Sequence, residues 1–290
     1  MILLPQRFSA TIKSLFVTAM LAGCAPVANE AMLRQLPPEE EIPAWQLAYL
    51  SNPRLPMKKP SEFEDFSYQD VPMKQNRQVV FLGDSLAQGY ALGFKIAVRK
   101  QEIPLITIDE GKQSSGLVRH DFFDWPSYLG NNLPKNQDDC LVFHFGANDD
   151  KPIPGLSARL RSPDWSRTYE KRVRDIIQIV QEKGFYCVLW LGPAPDKDAD
   201  RDQHLRFVEK IYQRVMRDNG VDYLPLRGRY GDQEGNFQYD IIENNIPIRI
   251  RSKDGSHFNI RGYKDVGDVI LKRLKQKSFY VQRAGGLMRG

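Results

Sequence analysis

Four short blocks in a fixed order carry side chains suited to acyl chemistry. Gly83-Asp84-Ser85 comes first, then Ser115-Gly116, then Gly146-Ala147-Asn148-Asp149, and last Asp254-Gly255-Ser256-His257. A serine hydroxyl attacks a carbonyl only when a neighbouring base takes its proton, and a histidine oriented by a carboxylate does this near neutral pH. Asp254 stands three residues before His257, a spacing that lets the carboxylate fold back across a turn to one ring nitrogen while the other faces Ser85. The charge that develops on the carbonyl oxygen needs donors aimed at it. The Asn148 amide and the backbone N–H groups of Gly116 and Ser85 are candidates, and a glycine at 116 lets a substrate approach the backbone closely. Each block alone has a plainer reading: Ser85 as a helix N-cap, Asn148 as turn chemistry, Asp254 and His257 as a polar loop. Asp84 reads as a local hydrogen-bonding residue rather than a base. The succession of all four points to ester hydrolysis or acyl transfer.

Those blocks need elements to bring them together. Short apolar runs at Val79 to Leu82, Leu105 to Ile108, Leu141 to Phe145, Phe185 to Leu191 and Val221 to Leu224 read as strands. Between them, helical spacing marks Ala87 to Lys100, a turn or two in Asp124 to Leu133, Asp164 to Lys183 and Asp200 to Asn219, and Asn259 caps a last helix. Alternation of this kind predicts one three-layer α/β/α domain over 78–277, with a five-stranded parallel sheet covered on both faces. In the flavodoxin-like order 2-1-3-4-5, all four blocks fall at the carboxyl edge of the sheet, where such folds bind ligands.

Other candidates are weighed against that edge. His144 falls inside a strand and is expected to be packed, His204 begins a helix and is expected to be solvated, and His120 follows the glycine block closely enough to line a pocket. Arg119 and Arg251 can orient an anionic or sugar substrate, or serve in structural ion pairs. Phe122, Phe123 and Trp125 are the apolar residues near the loops. Cys140 and Cys187 open neighbouring strands and are expected to be free thiols, because a bridge between adjacent parallel strands calls for strained geometry. No Cys-x-x-Cys or His-x-x-x-His spacing suggests a metal.

The N-terminus bounds the compartment. Arg7 and Lys13 precede the short apolar run Ser14 to Met20, and Leu21-Ala22-Gly23-Cys24 follows, which is the layout of a secretory signal. The run is about half the roughly 20 residues that a membrane span needs. An exported domain permits a Cys140–Cys187 bridge all the same. Removing residues 1–23 takes away Arg7 and Lys13 and no acidic residue, so the net charge falls from +5 to +3 and the basic balance says little about partners. The remaining basic residues are dispersed and form no aromatic-interleaved stripe, so no nucleic-acid partner is expected. Residues 24–77 carry repeated prolines and the acidic cluster Glu39 to Glu41 and read as a tether, with a short helix at Ala44 to Leu50; residues 278–290 read as a flexible tail.

The four blocks resemble those of the SGNH (GDSL-like) hydrolase superfamily, with Ser85, Gly116, Asn148 and His257 in the matching positions and Asp254 completing the triad. The resemblance implies a serine esterase or O-acyltransferase that works without a cofactor. Ser114 to Arg119, Asp121 and Asp124-Trp125-Pro126, with Ile250-Arg251 and Asp254 to Phe258, are similar to a bacterial envelope branch of that superfamily. This branch is associated with membrane-bound O-acyltransferases that modify extracytoplasmic glycans. Leu-Ala-Gly-Cys resembles the bacterial lipobox, which implies lipidation of Cys24, and Ala25 after it implies an outer-membrane anchor facing the periplasm. The expected substrate is an acylated carbohydrate or small ester, O-acetyl above all. Water and a glycan hydroxyl both remain open as acceptors, with a lipase or a non-catalytic envelope binding protein as further alternatives.

Overall fold

The computed structural model describes residues 77–287. The signal segment, Cys24, the proline-rich stretch and the helix expected at 44–50 lie outside them. Four β/α units and a fifth strand run in sequence: β1 (Arg77–Gly83), α1 (Ser85–Lys100), β2 (Leu105–Asp109), α2 (Trp125–Asn132), β3 (Cys140–His144), α3 (Pro163–Glu182), β4 (Val188–Leu191), α4 (Ala199–Asp218) and β5 (Asp222–Leu224). The strands pair in parallel in the order β2-β1-β3-β4-β5. A one-turn helix α5 (Arg227–Tyr230), a hairpin of β6 (Asp240–Glu243) and β7 (Ile246–Arg249), and the last helix α6 (Ile260–Leu287) follow.

Alternation along each strand divides the core into two layers. Val80, Leu82, Leu141, Phe143, Val188 and Trp190 face one side, where α2, α3 and α4 contribute Trp125, Trp165, Tyr169 and Val208. Val79, Phe81, Val142, Leu189 and Leu191 face the other, against Tyr90 and Phe94 of α1 and Val266 and Ile270 of α6. The sheet and its flanking helices are therefore those the apolar runs predicted. The hairpin is an addition: Asn244 and Asn245 both hold positive φ, +50° and +64°, as a two-residue turn between twisted strands requires. Helix α6 also runs to Leu287, past the expected start of a flexible tail. Leu274 to Arg283 contains no proline or glycine to stop it, and the run is rich in good helix formers.

Cys140 and Cys187 form a disulfide, where free thiols were expected. The register supplies the reason. Leu141 pairs with Val188, so the two cysteines face each other one step earlier, on the side of the sheet that packs against α1 and α6. Their Cα atoms are 4.7 Å apart, inside the ordinary disulfide range, so no backbone shift is needed. The bond closes a separation of 47 residues that includes α3. Reduction is expected to cost about 2–4 kcal/mol, chiefly by freeing that loop in the unfolded chain. Urea unfolding with and without dithiothreitol measures it, and identical midpoints would remove the bridge from the account of stability.

Candidate active site

Helix α1 begins immediately after β1, and its first turn is held from below. Asp84, fully buried, is the N-cap: its Oδ1 accepts the backbone N–H of Leu86 at 3.0 Å and of Ala87 at 3.4 Å. The same oxygen lies 3.1 Å from Nδ1 of His144, which is packed as expected. Capping therefore falls to Asp84, and the Ser85 hydroxyl is left for another partner. That partner is His257, whose Nε2 is 3.0 Å from Ser85 Oγ. Its Nδ1 lies 2.7 Å from Asp254 Oδ2, while Asp254 Oδ1 accepts the backbone N–H groups of Ser256 and His257, each at 3.1 Å. Partial burial pushes the Asp254 carboxyl up, but the hydrogen bonds from the His257 ring and backbone outweigh it and leave it below the usual range. An ionised Asp254 only accepts, so Nδ1 carries the proton and Nε2 presents a lone pair to the serine.

Two helices make this meeting possible. Ser85 opens α1 and His257 precedes α6 by three residues, and the helices lie side by side. A Cβ at Gly93 would collide with the Tyr263 carbonyl, and one at Gly267 with the Gly93 backbone. Only glycine permits so close an approach, and it carries the two N-terminal ends to the same place. Asn259 caps α6 as expected, with its Oδ1 accepting the Gly262 N–H at 2.9 Å.

Three N–H donors belong to the loops and helix start at this edge of the sheet. The Ser85 N–H, at the first helical position, has no intrahelical acceptor. Among the described residues the Gly116 N–H also lacks a protein acceptor. Asn148 Nδ2 donates to the Ser115 carbonyl at 2.9 Å, which uses one of its two hydrogens and leaves the other. Glycine at 116 meets a further need: a Cβ there would run into the Asp149 carboxylate.

Asp149 is the residue the sequence reading left without a role. It is fully buried, and its Oδ1 accepts the Val118 N–H at 2.8 Å while Oδ2 accepts the Tyr169 hydroxyl at 2.7 Å. Burial pushes its carboxyl up to about 6, against the pull of those two donors. Arg172 of α3 adds hydrogen bonds to the Leu117 and Val118 carbonyls, at 2.5 and 2.6 Å. A signal was available in an acidic residue directly after the strand-exit Asn148, with no basic neighbour before Lys151.

The remaining candidates separate. Arg119 is exposed and engaged with Asp121, at 2.6 Å through Nη2. His120 is half-buried beside Arg172, and burial and that cation lower its pKa. Arg251 is only 3% exposed, so it is not a surface group waiting for substrate. It donates to the Ser256 and Pro195 carbonyls at 3.1 and 2.9 Å, and its guanidinium carbon lies 3.9 Å from the centre of the Phe258 ring. It fastens the loop that bears His257. Of the aromatic residues near the loops, Phe122 is exposed, Phe123 is partly covered and Trp125 is buried. His204, expected in solvent, is fully buried because α4 lays its first turns on α3, with the ring 5.4 Å from Trp165. Burial pushes its pKa down to about 4.

The family described as "Protein of unknown function (DUF459)" matches residues 78–273. The chain belongs to the DUF459 family. No curated protein matches it significantly. Among solved structures, this DUF459 chain is similar to an acetyl xylan esterase, AlAXEase, at 18% identity and a TM-score of 0.51, over 68% of this chain and 98% of that one. An acetylxylan esterase from Geobacillus stearothermophilus, in a catalytic-mutant form, gives 11% identity and a TM-score of 0.50 over 70% and 96%. A protein of the G-D-S-L lipolytic family from Desulfitobacterium hafniense DCB-2 gives 14% and 0.50 over 69% and 99%. At these identities the likeness establishes the fold, which the DUF459 domain shares with SGNH-type hydrolases.

Among the described residues no group of three His, Cys, Asp or Glu side chains is placed to hold a metal ion, and no helix is long and apolar enough to cross a membrane.

The buried His204 yields a pH prediction. In the folded chain its ring stays neutral down to about 4, whereas unfolded it takes a proton near 6.5. The unfolded state therefore binds more protons in that window, and stability falls as pH drops through it, by about 3 kcal/mol at most. Asp149, raised from 3.8 to about 6, acts in the opposite sense over much of the same window, so the comparison must be made within one background. His204→Leu should be less sensitive to acid than the wild type. Urea midpoints at about pH 7 and 4.5 test this; equal acid losses in the two proteins would contradict it.

Proposed function

We propose that the protein is a serine ester hydrolase acting on small O-acyl esters of carbohydrate, O-acetyl above all. The observation that carries this reading is the unbroken chain Asp254–His257–Ser85, with hydrogen-bond distances of 2.7 and 3.0 Å. Ser85 Oγ attacks the ester carbonyl while its proton passes to His257 Nε2, and the ionised Asp254 stabilises the imidazolium. The carbonyl oxygen takes up charge facing the N–H groups of Ser85 and Gly116 and the free hydrogen of Asn148. His257 then returns the proton to the leaving alkoxide as the C–O bond breaks, which leaves an acyl-serine. A water molecule, deprotonated by His257, releases the acid and restores Ser85.

Transfer of the acyl group to a glycan hydroxyl is the second reading. The favouring observation is the 40% exposure of the His257 side chain, which leaves the attacking base open to an acceptor larger than water. A lipase is less well supported, because only Phe122 of the nearby aromatic residues stands out in solvent. The acetyl xylan esterases that share the fold are consistent with a small acyl group on a sugar.

Ser85→Ala and His257→Ala are each expected to lower kcat on p-nitrophenyl acetate by about 10⁴-fold or more, because the two act as one unit. Asn148→Ala should lower kcat by about 10²–10³-fold with little change in KM. Near-wild-type turnover in the serine or histidine variant would overturn the reading, and a panel from acetyl to long-chain esters measures the acyl preference. Mass spectrometry of envelope glycan from a deletion strain separates the readings: loss of acyl groups favours transfer, and accumulation favours hydrolysis.

Location is a separate proposal, resting on Leu21-Ala22-Gly23-Cys24. Lipidation of Cys24 would hold the domain at the cell envelope. Cys24→Ser is expected to abolish membrane association while leaving hydrolysis of a soluble acetyl ester unchanged. Wild-type protein that takes up no palmitate analogue would show that the anchor does not exist.

A further inference from the structure

Two adjacent residues of the loop after β3 grip a four-residue stretch of the loop after β2, Ser115 to Val118, at both of its ends. Asn148 donates to the Ser115 carbonyl at 2.9 Å, and Asp149 accepts the Val118 N–H at 2.8 Å. Gly116 and Leu117 lie between the two grips, and the Gly116 N–H is the backbone donor that remains without a protein acceptor among the described residues. The Asp149 carboxylate lies against the Gly116 Cα on the side a Cβ would fill. From behind, Tyr169 donates to Asp149 Oδ2 at 2.7 Å and is itself 2.5 Å from the Tyr212 hydroxyl, so α3 and α4 both brace the carboxylate.

Burying a carboxylate is costly, and here it is offset by only a few neutral donors. A position needing nothing but volume would be filled more stably by an apolar side chain. The contacts instead aim the group at one stretch of backbone. We propose that Asp149 is the positioning residue of the oxyanion site: by holding the Ser115–Val118 loop against β3 it sets the Gly116 N–H in line with the Asn148 amide and the Ser85 N–H. The proposal rests on the ester-hydrolase reading. Asp149 touches no reacting atom and acts through Gly116 and Asn148. A shift of about 1 Å in such donors costs on the order of 10²-fold in rate.

The work of the carboxylate in this arrangement is geometric. An asparagine at the same place can accept from Val118 through its oxygen and donate to the Tyr169 hydroxyl through its nitrogen, with Tyr169 then donating to Tyr212. Charge is therefore dispensable and shape is not.

The test uses the purified full chain with p-nitrophenyl acetate as substrate and a fluorophosphonate probe to count reactive serines by endpoint. Asp149→Ala is expected to lower kcat per titrated serine about 10²-fold with KM within about threefold of wild type. Asp149→Asn is expected to restore it to within about tenfold of wild type. A purely structural role would show as fewer titratable serines and a lower Tm with unchanged kcat per serine, and that result would overturn the proposal. An asparagine variant no better than alanine would overturn it too. Should Asp149→Ala not fold, Tyr169→Phe carries the test: removing one brace should lower kcat per serine about tenfold at constant KM, and no change would count against the role. Ser85→Ala run alongside keeps the two ideas apart. If it abolishes hydrolysis while Asp149→Ala does not lower kcat, the enzyme reading stands and the positioning role falls; if it leaves hydrolysis intact, both fall.

Discussion

The close packing of α1 on α6 is the constraint on which the candidate site depends. Ser85 and His257 are separated by 172 residues and belong to opposite ends of the domain's chain. They meet because each stands at or just before the start of a helix, and those helices run side by side at a separation that Gly93 and Gly267 allow. Glycine inside a helix costs roughly 0.5–1 kcal/mol relative to alanine. That cost is accepted here because any larger side chain would wedge the helices apart. A wider gap would open the 3.0 Å contact between Ser85 and His257 before it disturbed the sheet.

A second regularity concerns what lies beneath the exposed groups. Ser85, Asn148 and His257 are partly open to solvent, whereas the groups that hold them are not. Asp84 fixes the first turn of α1, Asp149 fixes the Gly116 loop, and Arg251 fixes the loop bearing His257, each within a buried setting. All three bond to backbone: Asp84 to the Leu86 and Ala87 N–H groups, Asp149 to Val118, and Arg251 to the Ser256 and Pro195 carbonyls. Loops at the end of a sheet have no strand neighbours to satisfy their amides and carbonyls. Buried charged side chains take that part and make the loops rigid as a consequence.

What was legible in the sequence follows from range. Strand and helix identities came from local periodicity, and the parallel order from their alternation, because both are written in residues a few positions apart. The four blocks were legible for the same reason: each is local, and the fold class places them on one edge. The Cys140–Cys187 bridge was misjudged because strain was argued without the register, and the pairing of Leu141 with Val188 is a tertiary fact. His204 was misplaced because a polar residue near a helix start looks solvated until α3 is laid over it. For Arg251 the sequence leaves substrate orientation and a structural role both open, and the choice between them rests on burial and on bonds to the Ser256 and Pro195 carbonyls, which are tertiary facts. Asp149 went unassigned since its partners, Val118 and Tyr169, lie 31 residues before it and 20 after it.

This division also bears on specificity. On the proposed ester-hydrolase reading, the hydrogen-bonded chain and its donors treat any ester carbonyl alike, so neither the acyl group nor its acceptor is chosen by them. Choice must come from side chains that rise above the rigid layer and reach past it. Arg201 is so placed, bonded to Ser256 beside His257 at 2.8 Å and lying 3.9 Å from Asp150 in the loop that also carries Asn148. Phe122, in the loop after β2 that also carries Gly116, is exposed. On the proposed reading, an aromatic ring that packs on a sugar face and a guanidinium that bonds to oxygen would suit a sugar better than a long alkyl chain. On that reading the partly exposed Ser85 and His257 break the bond, the buried layer holds them in place, and the choice of substrate falls to the side chains around them.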